Sequence, residues 1–431
     1  MAERTPVMTV YDATIKRLNF IFDEFEHIYV SFSSGKDSGA VLNMCIDIAR
    51  QRKRKIYAVF IDLEAWYKRS EEYVIKMFSE NEDVLMPVWI CLPMESPNSL
   101  SFENPVWIWW DEEKRPIWVR EMPENKWVVN EKNNIFTWYR KNMPFEDFVK
   151  YIGNTLGKGE KTACLVGIRT QESLNRWRAI NCAKTTYKGK KYSTQVNDHV
   201  FNFYPIFDWR VEDIWAYYGK FHKPYNPIYD LYYRAGVPIH KMRIDEPFGN
   251  EAKAGLNQFK VIEPDTWIRI VNRVSGANFG NIYGGTKLMT DKYQLPKNYT
   301  WKQFTEFLLK TLPPKTEAHY RERFSKFIAY WKNTGCPVPD DQIEILTGKY
   351  GETVINTKTH GTRGNKNKFL VKFREPLDEL PELEGKDDFC TWRRMAMCII
   401  KNDFVCKSLS FSITKEMQQK RKAVLDKYRS L

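Results

Sequence analysis

The 431-residue sequence has 8 Cys but no CxxC pair and no cysteine–histidine cluster at zinc spacing, which excludes the common structural zinc folds. Its cysteines are scattered, mostly in apolar contexts, and read as reduced, buried thiols. No apolar run is long enough to cross a bilayer. The opening MAERTPVMTVYDATIKRLNF lacks the apolar core of a signal peptide. A cytoplasmic protein without membrane contact is therefore expected. Internal repeats and low-complexity tracts are also missing, which argues against a solenoid or a disordered array. Of the few histidines, His199, His222 and His240 stand singly, as hydrogen-bonded structural residues usually do.

Hydrophobic residues make up 43% of the chain and charged residues 28%, the balance of a soluble globular protein. The length suggests two or three domains and a large core. Aromatic residues reach 15%, with 15 Trp and 23 Tyr, and imply either large aromatic cores or surfaces that stack bases. The net charge of +13 favours phosphate-rich partners, nucleotides or nucleic acid; a solvated basic surface is the alternative.

The first half alternates strand-like and helix-like segments. Strands are expected at residues 27–32, 55–61, 84–91 and 162–168, with helices at 39–50, near 65–79 and from about 171. Alternation of this kind implies βαβ units and a Rossmann-like α/β parallel sheet covered on both faces. Residues 93–144 interrupt the rhythm with Trp107, Trp109, Trp110, Trp118, Trp127 and Trp138. They read as an insertion, with a hairpin pairing 106–110 with 117–120. Their tryptophans form either an aromatic mini-core or a surface that grips bases or a partner. Beyond about residue 247 the alternation fades. Helices are expected at 301–309, 317–333 and 415–428, extended or loop segments at 356–363 and 368–373, and an exposed basic loop at 359–368. The expected division is thus 1–246, a nucleotide-binding α/β domain, and 247–431, a mostly helical recognition region.

Residues 31–38, SFSSGKDS, lie between the first strand and a helix start. Short residues let successive backbone N–H groups converge on an anion, and the helix N-terminus adds partial positive charge. Gly35 is expected to allow close approach or an unusual backbone angle. Lys36 offers a point charge for phosphate. Ser33, Ser34 and Ser38 offer hydroxyl donors just after Ser31 closes the strand. The GxxxxGKS/T spacing of a Walker A loop is absent. A purely structural turn is the alternative, but the order of strand, S-x-S-S-G-K-D-S and helix is demanding.

These residues resemble the PP-loop (SGGKDS-type) of the PAPS reductase and ATP pyrophosphatase superfamily, with Ser34 where many members have Gly. Gly167-Ile168-Arg169, with Glu172, Ser173 and Arg176, resembles the G-I-R-x-x-E-S-x-x-R segment of PAPS reductases. Tyr204-Pro205-Ile206-Phe207-Asp208-Trp209 with Asp213-Ile214-Trp215, and Asn226-Pro227-Ile228-Tyr229, resemble two further segments. The resemblance implies an adenine nucleotide α-hydrolase-like fold that binds ATP or PAPS. Most of the chain is similar to the IbrA-type branch, regulators encoded beside a ParB-like partner, notably at 95–110, 276–285 and 392–403.

Under that resemblance, nucleotide contacts fall on Ser31, Ser33, Ser34, Gly35, Lys36, Asp37, Ser38, Asp62, Gly167, Arg169 and Arg176. Lys36, Asp37 and Arg169 would be the catalytic set. Magnesium would neutralise the phosphates, supported by Asp37 and Asp62. Asp62 follows the second strand at the sheet edge where such ligands bind, although a helix N-cap explains it equally. Arg169 would grip phosphate through its fork; an ion pair with Glu172 is the alternative. Arg176 stands on a helix whose basic face is otherwise merely exposed.

The pattern also departs from sulfonucleotide reductases. The E-C-G-I/L-H segment carrying their nucleophile is missing, as are the paired cysteines of the iron–sulfur branch. Cys390, Cys398 and Cys406 sit among apolar residues. Neither an iron–sulfur cluster nor zinc is expected. Three readings remain: an enzyme that splits ATP to AMP and pyrophosphate in adenylyl transfer to an unknown second substrate, with a nucleic acid or a protein as candidates; a nucleotide-sensing regulator acting with a ParB-like protein; and a PAPS reductase.

Overall fold

Apolar runs of five or six residues, each bounded by turn residues, become strands because both of their faces can be buried under helices. The computed structural model describes residues 8–411, except 102–103, 105, 182–184, 245, 250–255, 275, 278–294, 296–298, 361–368 and 384–388. It begins with α1 (Val10–Glu24), β1 (His27–Ser31), α2 (Lys36–Gln51), β2 (Ile56–Ile61), α3 (Lys68–Ser79) and β3 (Leu85–Ile90). The insertion supplies β4 (Met94–Pro97), β5 (Val106–Trp109), β6 (Val128–Val129) and β7 (Met143–Pro144). Short helices α4 (Phe145–Phe148) and α5 (Ile152–Leu156) lead to β8 (Thr162–Val166), α6 (Leu174–Asn181), β9 (Ser193–Gln195) and β10 (Val200–Phe203). Helices α7 (Val211–Phe221), α8 (Ile228–Arg234), α9 (Leu256–Ile262) and α10 (Pro264–Arg273) follow.

The main sheet has the order β6-β3-β2-β1-β8-β10-β9, parallel throughout except for β9 at one edge. The α/β reading with a mostly parallel central sheet holds. From β1 the chain builds outward through β2 and β3, then returns to lay β8 on the other side of β1. Val30 is in register with Leu165 and Ser31 with Val166. The order of strands therefore reverses between β1 and β8, and the crevice beyond their C-terminal ends is where open α/β sheets bind ligands.

The insertion differs from its expected form. Val106–Trp109 pairs antiparallel with Met94–Pro97, not with 117–120, and Glu112–Ile117 coils into a 3-10 helix. The charged segment DEEKRP supplies its own cap, Asp111, whose side chain accepts from the Glu113 N–H, so it turns helically and cannot serve as a hairpin loop. Trp107, Trp109, Trp110 and Trp118 are all buried, and Trp127 and Trp138 pack partly buried against the same core. The tryptophans form an aromatic core, and the base-gripping surface is ruled out for the four buried ones.

Past residue 246, α9 and α10 still belong to this first core. Phe259 stacks on Tyr67 with ring centroids 3.8 Å apart, and Glu263 accepts from the Lys68 N–H at 3.0 Å at the start of α3. A second core gathers α11 (Trp301–Lys310), α12 (Pro314–Asn333), β11 (Cys336–Pro337), α13 (Asp340–Tyr350), β12 (Val354–His360), β13 (Phe369–Phe373) and α14 (Trp392–Ile400). Tyr320, Phe324, Phe327 and Trp331 of α12 pack on Val371 and Phe373 of a small antiparallel sheet ordered β11-β13-β12. The expected helices at 301–309 and 317–333 are present, and the described parts of the two extended segments lie in β12 and β13. The expected helix at 415–428, and nearly all of the basic loop at 359–368, lie outside the described residues. Among the described residues no helix is long and apolar enough to cross a membrane.

Candidate functional site

The loop after β1 is shaped by backbone geometry more than by its glycine. Gly35 is extended, with φ −74° and ψ 159°, and caps α2. The left-handed residue is Ser34, with φ 56°. Of the two roles expected for Gly35, the unusual backbone angle passes to Ser34, which is why glycine suits that position, while close approach holds: a Cβ at Gly35 would lie 3.3 Å from Ser33 Oγ. Ser34 is fully buried and its hydroxyl has no partner, so it donates nothing to the pocket as it stands. We expect Ser34→Gly to stabilise the fold by about 1 kcal/mol, because left-handed strain and an orphaned buried hydroxyl both disappear. Urea melts will check this; a lower midpoint for the variant would contradict it.

Segments remote in sequence hold the loop in place. Asn226, fully buried, donates to Ser34 O at 3.1 Å and to Ser70 Oγ at 3.0 Å, and accepts from the Ile228 N–H at 3.0 Å. The Tyr229 hydroxyl accepts from the Lys36 N–H at 2.9 Å, and the Tyr218 hydroxyl donates to Lys36 O at 2.6 Å. Ser33 and Ser38 hydroxyls lie 3.0 Å apart, and the Ser33 N–H donates to Ser38 Oγ at 3.1 Å. Gly167 packs directly on the first turn of α2: a Cβ there would lie 2.7 Å from the backbone N and Cα of Ser38. The Asp208–Trp209 segment serves the frame. Asp208 pairs with Arg17 at 2.5 Å, and Trp209 Nε1 donates to Thr14 Oγ1 at 2.8 Å.

A pocket of about 190 Å³ opens at this point, lined by Ser31, Ser33, Gly35, Lys36, Asp37, Ser38, Gly167, Glu172, Arg176, Tyr229 and Arg243, among others. That volume suits phosphate groups; the roughly 300–1,000 Å³ of a typical small-molecule site would extend past its mouth. Lys36 is 4% exposed, and its ammonium donates to Asp37 Oδ2 at 2.9 Å and to Met242 O at 3.2 Å. Burial pulls its pKa down, opposed by Asp37. Arg169, also buried, meets the other Asp37 oxygen at 2.5 Å. Burial raises the Asp37 pKa, but Lys36 and Arg169 outweigh it and hold it below the usual range. The stability that Asp37 confers is therefore present above about pH 4, the unfolded value, and is lost as pH falls through the lower folded value.

Arg169 stands one layer back from the pocket lining, with Gln171 and Glu172 as further partners at 3.1 and 3.6 Å. Of the two alternatives for its role, the ion pair with Glu172 is present; the guanidinium fork is turned to Asp37, Gln171 and Glu172, and Arg169 is not among the residues that line the pocket. Arg176 lines the pocket and is paired with Glu172. Arg243 lines it too, and among the described residues no acid pairs with it. Sequence reasoning missed Arg243 because it falls in the segment where the family pattern breaks off. A loop-distant basic residue carries no local signal.

Asp62 is not brought to this pocket. It is fully buried, paired with Arg120, and accepts from Trp89 Nε1 at 2.7 Å and from the Glu64 N–H at 3.0 Å. The insertion supplies Arg120, so the acid that seemed free at the sheet edge is consumed internally. Asp37 is likewise held between two cations. Neither carboxylate fits a magnesium ion as arranged, and among the described residues no group of three or more His, Cys, Asp or Glu converges as metal ligands. His222 ends α7 in a left-handed conformation, a structural role.

Residues 27–236 match the phosphoadenosine phosphosulfate reductase domain, and residues 236–420 match a domain of unknown function, DUF3440. The uncharacterized protein YbdN of Escherichia coli (strain K12) is 32% identical over 421 residues, spanning 96% of this chain and 93% of YbdN. Among solved structures, a phosphoadenylyl-sulfate (PAPS) reductase from Candida auris, in a phosphate complex, is 13% identical, with 51% of this chain and 84% of that one covered and a TM-score of 0.28. The FMN adenylyltransferase of Candida glabrata, with FAD and pyrophosphate, is 14% identical over 53% of this chain and 64% of that one, with a TM-score of 0.30. The U34-tRNA thiolase NcsA of Methanococcus maripaludis, with its [4Fe-4S] cluster, is 12% identical over 64% and 79%, with a TM-score of 0.30. Overlays this partial carry no argument about chemistry.

Proposed function

The chain belongs to the family of the E. coli uncharacterized protein YbdN and carries a phosphoadenosine phosphosulfate reductase domain, and from that premise we propose that it binds ATP at the pocket after β1 and splits it to AMP and pyrophosphate in adenylyl transfer to a second substrate. One observation supports this most: a phosphate-sized pocket at the reversal of strand order, into which the first turn of α2, Lys36, Arg176 and Arg243 all face. Pyrophosphate is the group such a pocket would hold while negative charge grows on it. Lys36 would supply charge at the helix N-terminus. Asp37 and Arg169 would keep that ammonium aimed, and Arg243 would add a second cation beside Arg176. Magnesium, if used, would arrive on the nucleotide's own oxygens, since Asp37 and Asp62 are committed elsewhere; no step is assigned to it.

A second reading has its own support. Helix α6 places Arg176 in the pocket while its next residue, Trp177, packs on the second core and Arg178 lies over the Trp331 ring at 5.2 Å. A nucleotide sensor would use such a helix to report occupancy, in concert with a ParB-like protein in the IbrA-type reading or with a nucleic acid. PAPS reduction has least support. Among the described residues no cysteine lines the pocket, and the described cysteines are buried.

Calorimetry with ATP, and an assay that follows labelled AMP from α-labelled ATP together with labelled pyrophosphate from γ-labelled ATP, test the proposal. Lys36→Ala should weaken ATP binding by about 1–3 kcal/mol, roughly five- to 150-fold, through loss of a charge-assisted contact. Unchanged affinity would remove the site assignment. Binding without pyrophosphate release across candidate substrates would favour the sensor.

A further inference from the structure

The insertion builds a second, larger cavity for which the nucleotide chemistry has no use. Strand β6 pairs in parallel with β3, Val128 beside Trp89 and Val129 beside Ile90, and the Cys91 N–H donates to Val129 O at 2.8 Å. Past the C-terminal ends of these strands lies a cleft of about 680 Å³, a volume that suits a small organic molecule. It shares the sheet edge with the nucleotide pocket but stands two strands from β1, about 10 Å away at the usual strand spacing.

The buried part of the lining is apolar and includes Cys91, Pro93, Trp110, Trp118 and Val128. The exposed part is acidic. Glu112, Glu121, Glu124 and Glu131 stand there against two cations, Arg115 and Lys132. The chain as a whole carries +13, so the sign is reversed locally, and a cleft of this kind draws cations in.

Both indoles are held rigidly. Trp110 Nε1 donates to Asp62 O and Trp118 Nε1 to Asp111 O, each at 2.8 Å, and the rings meet edge to face with centroids 5.1 Å apart. Each ring also carries a guanidinium: Arg120 over Trp110 at 5.1 Å and Arg115 over Trp118 at 5.5 Å. The two arginines differ in what binds them. Arg120 is committed to buried Asp62 and to Glu71. Arg115 rises from the 3-10 helix Glu112–Ile117 with its side chain 56% exposed, and it lies 3.2 Å from Glu112 and 3.9 Å from Glu121, which are exposed as well. Exposed ion pairs hold a side chain weakly. Arg115 can therefore leave the ring without disturbing the core, and it leaves behind an aromatic face with two carboxylates beside it.

We propose that this cleft binds an alkylguanidinium group, the chemistry shared by small guanidino compounds and an arginine side chain, and that Arg115 is a built-in placeholder for it. The flat guanidinium takes over the face of Trp118 and donates to Glu112 and Glu121, while Arg115 swings into solvent. The alkyl chain lies along the apolar lining, where Met122 and Pro123 extend the surface begun by Val128. Arg115 marks the pose in advance, because its own guanidinium already makes these contacts.

The test titrates the full chain with butylguanidinium and, separately, with butylurea, a neutral molecule of nearly the same shape, by ligand-observed NMR. Butylguanidinium should bind about tenfold more tightly than butylurea or better, since only the cation gains from the ring and the carboxylates. Arg115→Ala should tighten butylguanidinium about three- to tenfold, because an internal competitor is removed. Glu121→Gln should weaken it about threefold, and Trp118→Leu about tenfold. A merely structural Arg115 would give no gain. Acetyl-arginine methylamide separates the two sources: binding about tenfold tighter than butylguanidinium assigns the site to an arginine of a peptide, and equal or weaker binding assigns it to a free small cation. Absence of saturable binding in both wild type and Arg115→Ala, equal affinity for butylurea, or an affinity unchanged or reduced by Arg115→Ala overturns the proposal. Arg115 and Glu121 are exposed, so these readings do not depend on a core variant that fails to fold.

Discussion

Gly167→Ala should cost about 1–3 kcal/mol of stability and weaken nucleotide binding at least tenfold, although residue 167 contributes no side chain to any ligand. The added Cβ would lie 2.7 Å from both N and Cα of Ser38 and 2.8 Å from the carbonyl carbon of Asp37. Those are backbone atoms of the first turn of α2, so no side chain can swing aside. The helix must slide away from β8, and its N–H groups and Lys36 move with it. The direct readouts are urea melts for stability and calorimetry with ATP for binding. A variant with wild-type stability would show that α2 yields more easily than its packing implies. A destabilised variant with wild-type affinity would mean that the nucleotide does not rest on that turn.

Arg273→Ala should be the most damaging single change outside the pocket, at about 3–5 kcal/mol near neutral pH, because it strips a buried carboxylate of its counter-charge. Glu64 is fully buried with φ 64° and receives Arg273 at 2.8 Å, along with the N–H groups of Trp110 and Val119 at 2.8 and 3.0 Å. Burial raises its pKa, and Arg273 is the largest influence pulling it back. Without Arg273 the folded value climbs further, and Glu64 can escape the penalty by taking a proton. The variant's deficit should therefore grow as pH rises from about 4.5, the unfolded value, through the raised folded value, and shrink as pH falls toward 5. Melts at pH 5 and pH 8 check the sign; a deficit that widens on acidification would refute it. By the same reasoning a chain ending near residue 246 loses Arg273 together with Phe259 and Glu263, and should not fold stably. The recognition role expected for 247–431 would then rest with the second core, and α9 and α10 would belong to the nucleotide domain.

Legibility in the sequence followed locality. The loop 31–38 and its flanking strand and helix were readable because all their signals lie within one strand–turn–helix unit. So were β2, β3 and β8, whose apolar runs are buried by any helical cover. The insertion's pairing was misread since the segment that looked like a hairpin turn carries its own helical cap, Asp111, and the true partner of β5 lies upstream in Met94–Pro97. Asp62 looked available because it follows a strand at the sheet edge where ligands bind; Arg120 claims it across the insertion.

By itself the sequence determined the alternation of strands and helices and the strand–turn–helix unit that holds residues 31–38, since each depends on neighbours within a few residues. Tertiary structure alone decided which ionisable groups are spent and which remain. It set β8 beside β1, bringing Gly167 onto α2 and Arg176 and Arg243 around Lys36, and it placed Asp37 between Lys36 and Arg169. The reason is electrostatic. A charge buried in a protein interior must find its opposite wherever the fold can supply one, and that partner is fixed by distance in space, on which separation along the chain has no bearing.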